Sequence, residues 1–255
     1  MSSYGQWLSA AGMKVNEHRQ AVFASNLANM ATAGFKEDLV VIRERRVASR
    51  EVPGATAFSH PVLDGLGGGV DVRPMNFRAS QGPIESTGRA LDVAIQGEGY
   101  FVVNDGEQTR YTRNGQFAVN SKGELVSSGG DGRWRVLDEG NNRIVVDPAG
   151  GDVTVTGDGT ILQGREVVGV LGAVKAAETQ GMRKVGETLF DRGETEVSPV
   201  RPKFVAGAIE GSNVDVMTGL TSMIEVTRAY EMNANILRMH DQMTNEVVNT
   251  VGRLA

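Results

Sequence analysis

The sequence predicts an α+β protein: an N-terminal and a C-terminal helix paired in coiled-coil fashion, with an all-β domain inserted between them. Three observations predict this. Three glycines fall in residues 1–50 and four in 207–255, leaving 26 of the 33 in between. Both ends carry apolar residues at helical spacing. The middle carries short alternating runs separated by Asn-Gly, Lys-Gly and Asp-Gly pairs.

Tyr4, Leu8, Ala11, Val15, His18, Val22, Ser25 and Asn29 step by fours and threes along one stripe, apolar through Val22 and polar after it. No proline precedes Pro53. A helix is therefore expected over about 3–31, with Gly34 stopping it in the left-handed region. At the other end, Val216, Leu220, Met223, Tyr230, Ala234, Leu237, Val248 and Val251 follow heptad-like spacing, interrupted by Thr227, Asp241 and Thr244. Ser212 or Asn213 is the expected N-cap, with Asp215 in the first turn. Five of the ten methionines lie in this segment (217, 223, 232, 239 and 243). Methionine fills irregular gaps and suits adaptable interfaces, and core filling is an equally good reading.

In the middle, LDVAIQGEGYFVV alternates and then breaks at Gly97 and Gly99. Asn114-Gly115, Lys122-Gly123 and Asp158-Gly159 read as hairpin turns, the Asn-Gly and Asp-Gly pairs as type I′. The domain reading is 1–36 plus 207–255 for the helices and 80–206 for the β domain. Residues 37–79 form an extended linker with some strand between them, including the flexible DGLGGG.

Neither terminal helix can bury its stripe alone, so the two are expected to pack on each other. Apolar residues also continue to both chain ends, where frayed polar sequence is the rule. The first thirty residues carry just Lys14, Glu17 and Arg19 as charges. Such helices look built for burial on more than one side, hence for subunit contacts. Unlike surfaces meeting head to tail would build an open filament.

Chemistry is thin by comparison. The net charge of -5 argues against a nucleic-acid binder. Cysteine is absent, and no 18-residue apolar run could span a membrane. The N-terminus lacks the basic and apolar regions of a secretory signal. His18, His60 and His240 lack metal-ligand spacing, so no metal is expected. GEG at 97–99 is incomplete as a nucleotide motif and reads as a bulge. Asp92, Glu98, Asp105 and Glu107 could supply paired carboxylates, and Arg110 and Arg113 a polyanion contact, but solvated surface charge is the commoner case. No catalytic residue and no cofactor is expected. The alternative reading is an extracellular carbohydrate-binding or carbohydrate-active β domain on a helical oligomerisation stalk.

ASNLANMATAGFK (24–36) resembles the N-terminal signature of the bacterial flagellar rod and hook axial proteins, which reads much like NNLANxxTxGFK. EGSNVDVMTGLTSMIEVTRAYEMNANIL (210–237) resembles the C-terminal signature of the same family. LDVAIQGEGYFVV followed by YTRNGQFAVNSKGELV looks like its β domain. Length and a single modest middle domain are similar to the rod proteins, of proximal or distal type. The resemblance implies a structural, non-enzymatic subunit exported through the flagellar type III apparatus without a cleaved signal. It would sit in the basal-body rod across the periplasm and assemble with itself and with other rod and hook proteins. Its helices would form a tube around the export channel and transmit torque. The carry-over places Asn26, Asn29 and Gly34 near the end of the first helix, and Ser212, Asn213, Arg228 and Tyr230 on the second. With Tyr4, Leu8, Val15, Val22, Leu220, Met223, Leu237 and Val248 from the stripes, these make up the expected assembly interface. The amides of Asn26 and Asn29 are expected to reach neighbouring subunits.

Overall fold

A computed structural model describes residues 2–44, 69–72, 76–129, 132–147 and 150–251. Helix α1 spans Ser2–Ala28 and helix α2 spans Val216–Val251. Among the described residues between them, the regular elements are twenty short β-strands and one 3-10 turn at Thr179–Gly181. The chain divides into two compact units: 1–27, 39–75 and 216–255 in one, 28–38 and 76–215 in the other. The segments flanking the helices, 28–36 and 207–215, lie in the second unit.

In the helical unit the helices touch in antiparallel sense. Gln6 Nε2 donates to Asp241 Oδ1 at 2.8 Å. A Cβ on Gly5 would lie 3.0 Å from His240 Nε2, and one on Gly12 would lie 3.1 Å from Asn233 Nδ2. The absence of side chains at 5 and 12 is therefore what admits these two residues of α2. Val15 and Val22 of α1 and Val226 of α2 are buried. Strands β2 (Ile42–Glu44) and β3 (Val70–Val72) pair antiparallel in the same unit. They fall in the segment read as a linker with some strand.

In the β unit, β7 (Tyr100–Asn104) is the hub of a nine-stranded sheet. It pairs with β8 (Thr109–Thr112), β11 (Arg135–Val136) and β15 (Ala173–Ala176). Beyond β8 lie β17 (Leu189–Asp191) and β16 (Arg183–Lys184). Beyond β11 lie β10 (Leu125–Ser127) and β9 (Phe117–Val119). β18 (Val197–Pro199) pairs with β15. A second sheet holds β12 (Val153–Val155), β13 (Thr160–Gln163) and β14 (Glu166–Val170). Three two-stranded pairs in the chain order complete the unit: β1 (Asp38–Leu39) with β4 (Asn76–Phe77), β5 (Ile84–Ser86) with β20 (Ala208–Glu210), and β6 (Val93–Gln96) with β19 (Lys203–Ala206).

Alternation along β7 splits the core in two, as the period of two in a strand requires. Phe101 and Val103 join the main cluster with Ile95, Phe117, Ile161 and Phe204. Tyr100 and Val102 join a second cluster with Phe77, Tyr111, Leu137 and Phe190 on the opposite face.

Four expectations are corrected. Helix α1 ends at Ala28, six residues before Gly34, so Gly34 does not stop it. Helix α2 starts at Val216, so Ser212 and Asn213 are not its N-cap, and Asp215 stands immediately before it rather than in its first turn. Asn114-Gly115 is not a hairpin turn, because β8 and β9 lie at separate places in the sheet. A Cβ at Gly115 would sit 1.7 Å from the Val93 carbonyl oxygen, so this glycine serves a close backbone approach. Finally, Lys122-Gly123 and Asp158-Gly159 do connect antiparallel neighbours, β9 to β10 and β12 to β13, but at Asp158-Gly159 the glycine alone has positive φ, so that turn is not type I′. The break at Gly97 and Gly99 is where the chain leaves β6 and its partner β19 and enters the large sheet through β7.

Candidate assembly interface

Two features carry the functional geometry: the outer faces of the helices, and a buried clasp at the base of the β unit. The helices expose large apolar side chains that a folded chain normally hides. Met217 is 75% exposed, Ile224 56%, Met232 64% and Val247 62%. Leu220, Met239 and Met243 on α2 and Trp7 and Leu8 on α1 are exposed too.

The expected interface residues sort into three groups. Leu8, Leu220 and Arg228 are exposed and available to a partner. Met223, Tyr230, Leu237, Asn29 and Asn213 are half-buried. Val15, Val22, Asn26, Gly34 and Ser212 are buried within the chain itself. The side chains of Tyr4 and Val248 lie outside the described residues, as does His60. Asn29 Oδ1 accepts from Thr32 Oγ1 at 3.1 Å, and Asn26 also has a partner. The heptad spacing of α2 follows mostly the face turned inward, Leu220 excepted. The exposed Met217, Met232, Met239 and Met243 are among the methionines that the sequence read as suiting either an interface or the core, and Ile224 belongs to neither set.

The clasp joins the chain leaving α1 to the chain approaching α2. Gly34 N–H donates to the Glu210 carbonyl at 2.7 Å. The Glu210 carboxylate is fully buried and accepts from Lys36 Nζ (2.5 Å), Arg113 Nη1 (3.0 Å) and the Gly82 N–H (3.0 Å). Arg113 Nη2 reaches the Gly97 carbonyl, and its guanidinium lies 5.1 Å from the Tyr100 ring centre. Asn213 accepts from the Glu37 N–H and donates to the carbonyls of Arg78 and Ser80. Lys184 bonds the Lys36 carbonyl and Asp38, and sits 3.6 Å over the Phe35 ring. Burial lowers the pKa of Lys36, with Glu210 acting against that shift; burial likewise lowers Lys184, opposed by Asp38. The terminal GFK and EGSN stretches are thus fold-holding residues. The charges at 36 and 210 carried no sign of this, since each reads as surface in isolation.

The groups weighed for chemistry are taken up in local structural contacts. Asp92 is buried and accepts from Thr87 Oγ1. Glu98 pairs with Lys175, Asp105 caps its own loop through the N–H groups of 107 and 108, and Arg110 pairs with Asp191. Arg113 is a buried clasp residue rather than a polyanion contact. Among the described residues no group of three or more His, Cys, Asp or Glu could hold a metal ion.

Burial pushes the Tyr100 hydroxyl up to about 12. Its folded pKa exceeds the unfolded value of about 10, so its contribution to stability is complete below pH ~10 and is lost on the way to pH ~12. A tyrosinate absorbance titration of the folded chain should show one hydroxyl ionising only near pH 12, with stability falling across that window. Complete ionisation of the tyrosines by pH ~10.5 in folded protein would contradict this burial.

Comparison with known proteins places the chain. Residues 9–36 match the family of flagella basal body rod proteins. Residues 94–163 match the flagellar hook protein FlgE/F/G D1 domain, and 205–250 the C-terminal region of the flagellar basal body rod FlgEFG proteins. The flagellar basal-body rod protein FlgF of Caulobacter vibrioides is 35% identical over 237 residues, covering 91% of each chain. FlgG of the same organism is 29% identical over 254 residues, covering 92% of this chain and 94% of that one. FlgG of Bacillus subtilis is 29% identical over 262 residues, covering 94% and 96%. These matches define a structural axial protein rather than an enzyme. The chain belongs to the flagellar basal-body rod protein family, of the FlgF and FlgG type.

Proposed function

We infer that this chain is a structural subunit of the basal-body rod. It self-assembles through its terminal helices, paired in coiled-coil fashion, into a tubular shaft that surrounds the export channel and transmits torque. The observation that carries the reading is the exposed apolar face of α2, which runs from Met217 to Val247. Soluble monomers rarely leave such a run uncovered, and each square ångström buried on assembly contributes about 25 cal/mol. Neighbouring copies and other rod and hook proteins are its partners, and the flagellar type III apparatus exports it. The higher identity to FlgF than to FlgG within one organism supports the proximal type.

Hydrogen exchange on the free subunit and on isolated basal bodies tests the reading. The amides of α1 and α2 should exchange markedly faster in the free chain, where the outer face of α2 is uncovered, than in the rod, while β7 and β8 stay equally protected in both. Helices protected equally in both states would contradict it. Alanine at Leu8, Val15, Val22 or Leu237 should impair swimming: Val15 and Val22 are buried within the subunit, and on this reading Leu8 and Leu237 become buried on assembly, where a Leu→Ala change costs ~2–5 kcal/mol in every subunit. Wild-type swimming by all four variants would argue against helix-driven assembly.

A further inference from the structure

We propose that the β units of neighbouring copies also join, by insertion of the β13–β14 hairpin of one into a cleft on the other. The proposal rests on the rod reading above. The cleft, of about 1040 Å³, lies on the β7 face that carries Val102, with Tyr111 and Leu137 also on its floor. Its rim carries charges of both signs. Arg110 is paired with Asp191, and Arg201 holds Glu139 through two bonds of 2.8 and 2.6 Å. Asp138 and Arg192 stand on the rim as well; Asp138 accepts from the Asn142 N–H at 2.7 Å, and among the described residues neither side chain forms an ion pair.

The occupant is on the opposite side of the same unit. The sheet formed by β12, β13 and β14 contributes Val155 and Ile161 to the core face of β7 that carries Phe101 and Val103. Gln163 pairs with Glu166, so Gly164-Arg165 forms a two-residue turn at the tip. Val168 packs inward against the main cluster, and Val167 beside it is 64% exposed. The tip thus presents an apolar knob flanked by exposed Arg165 and Glu166. These two charges complement Asp138 and Arg192, and Val167 matches the apolar floor. Knob and cleft lie on opposite faces of one sheet, so each copy can fill its neighbour's cleft while offering its own. Such contacts are heterologous and add head to tail without closing on a single pair.

The chain has no cysteine, which makes disulfide trapping unambiguous. Full-length Val167→Cys/Thr109→Cys and Val167→Cys/Arg192→Cys variants would be expressed as the sole copy and basal bodies isolated under oxidising conditions. The proposal expects covalent ladders from both double variants and none from the single variants. In the Val167→Cys/Thr109→Cys background it also expects Arg165→Glu/Glu166→Arg to reduce trapping several-fold, and Asp138→Arg/Arg192→Asp added to that swap to restore it. Double variants that enter basal bodies but give no ladder would overturn this contact while leaving the rod reading intact. Wild-type chain missing from basal bodies would overturn the rod reading and this contact with it.

Discussion

Replacing Glu210 with alanine is expected to destabilise the β unit by about 3–5 kcal/mol, the range for removing one partner of a buried ion pair. The carboxylate answers three donors at once: Lys36, Arg113 and the Gly82 N–H. Removing it leaves two cations and an amide inside, with the Lys36 and Glu210 side chains both at zero exposure in the parent. Lys36→Met should cost less, because Glu210 keeps Arg113 and Gly82. Urea titration of the full-length chain measures both changes. A loss under about 1 kcal/mol for Glu210→Ala, the size of an exposed pair, would show that the cluster is not sealed from water. Motility should fall with stability, since the clasp holds the segments from which both helices depart.

Gly34→Ala is the second large effect. Gly34 has φ +71°, where an L residue is strained. More severely, an added Cβ would meet the Asn114 nitrogen at 2.3 Å and the Arg113 carbonyl carbon at 2.4 Å. Both contacts are backbone, so no side chain can rotate away. The Gly34 N–H bond to Glu210 and the Arg113 bond to its carboxylate would be disturbed together. The expected loss is at least ~3 kcal/mol, above that of an ordinary overpacked core. Gly88→Ala, also at positive φ but with nothing within 4 Å of its Cβ, is the control and should cost about 1 kcal/mol. Equal losses at the two sites would mean that the close approach at 34 is not real.

Much of the architecture was legible in the sequence because it rests on local periodicity. The helical spacing of Val15 and Val22, and the alternation of Tyr100 to Val103, follow from one buried face each. What periodicity could not reveal is pairing across long separations. Lys36 and Glu210 are 174 residues apart, and each looks like ordinary surface charge until the chain brings them together. The same limit explains the misread turn at Asn114-Gly115. The dipeptide suits a hairpin, but Gly115 is required by Val93, a contact that no local pattern encodes. Asn213 suits an N-cap by type, yet its amide is occupied by three backbone groups, from Glu37, Arg78 and Ser80. On α2, heptad counting found mostly the inward face, and the methionines at 217, 232, 239 and 243 stood out without being assigned outward, since an exposed apolar stripe at helical spacing has the same signature as a buried one.

The central claim is that the terminal helices are the assembling part of a rod subunit. Electron cryomicroscopy of basal bodies from cells making this chain tests it most directly. The account predicts density for the chain within the rod, with α1 and α2 lining the channel and the exposed face from Met217 to Val247 covered by adjacent subunits. A rod lacking the chain, or one in which that face of α2 remains bare to solvent, would contradict it.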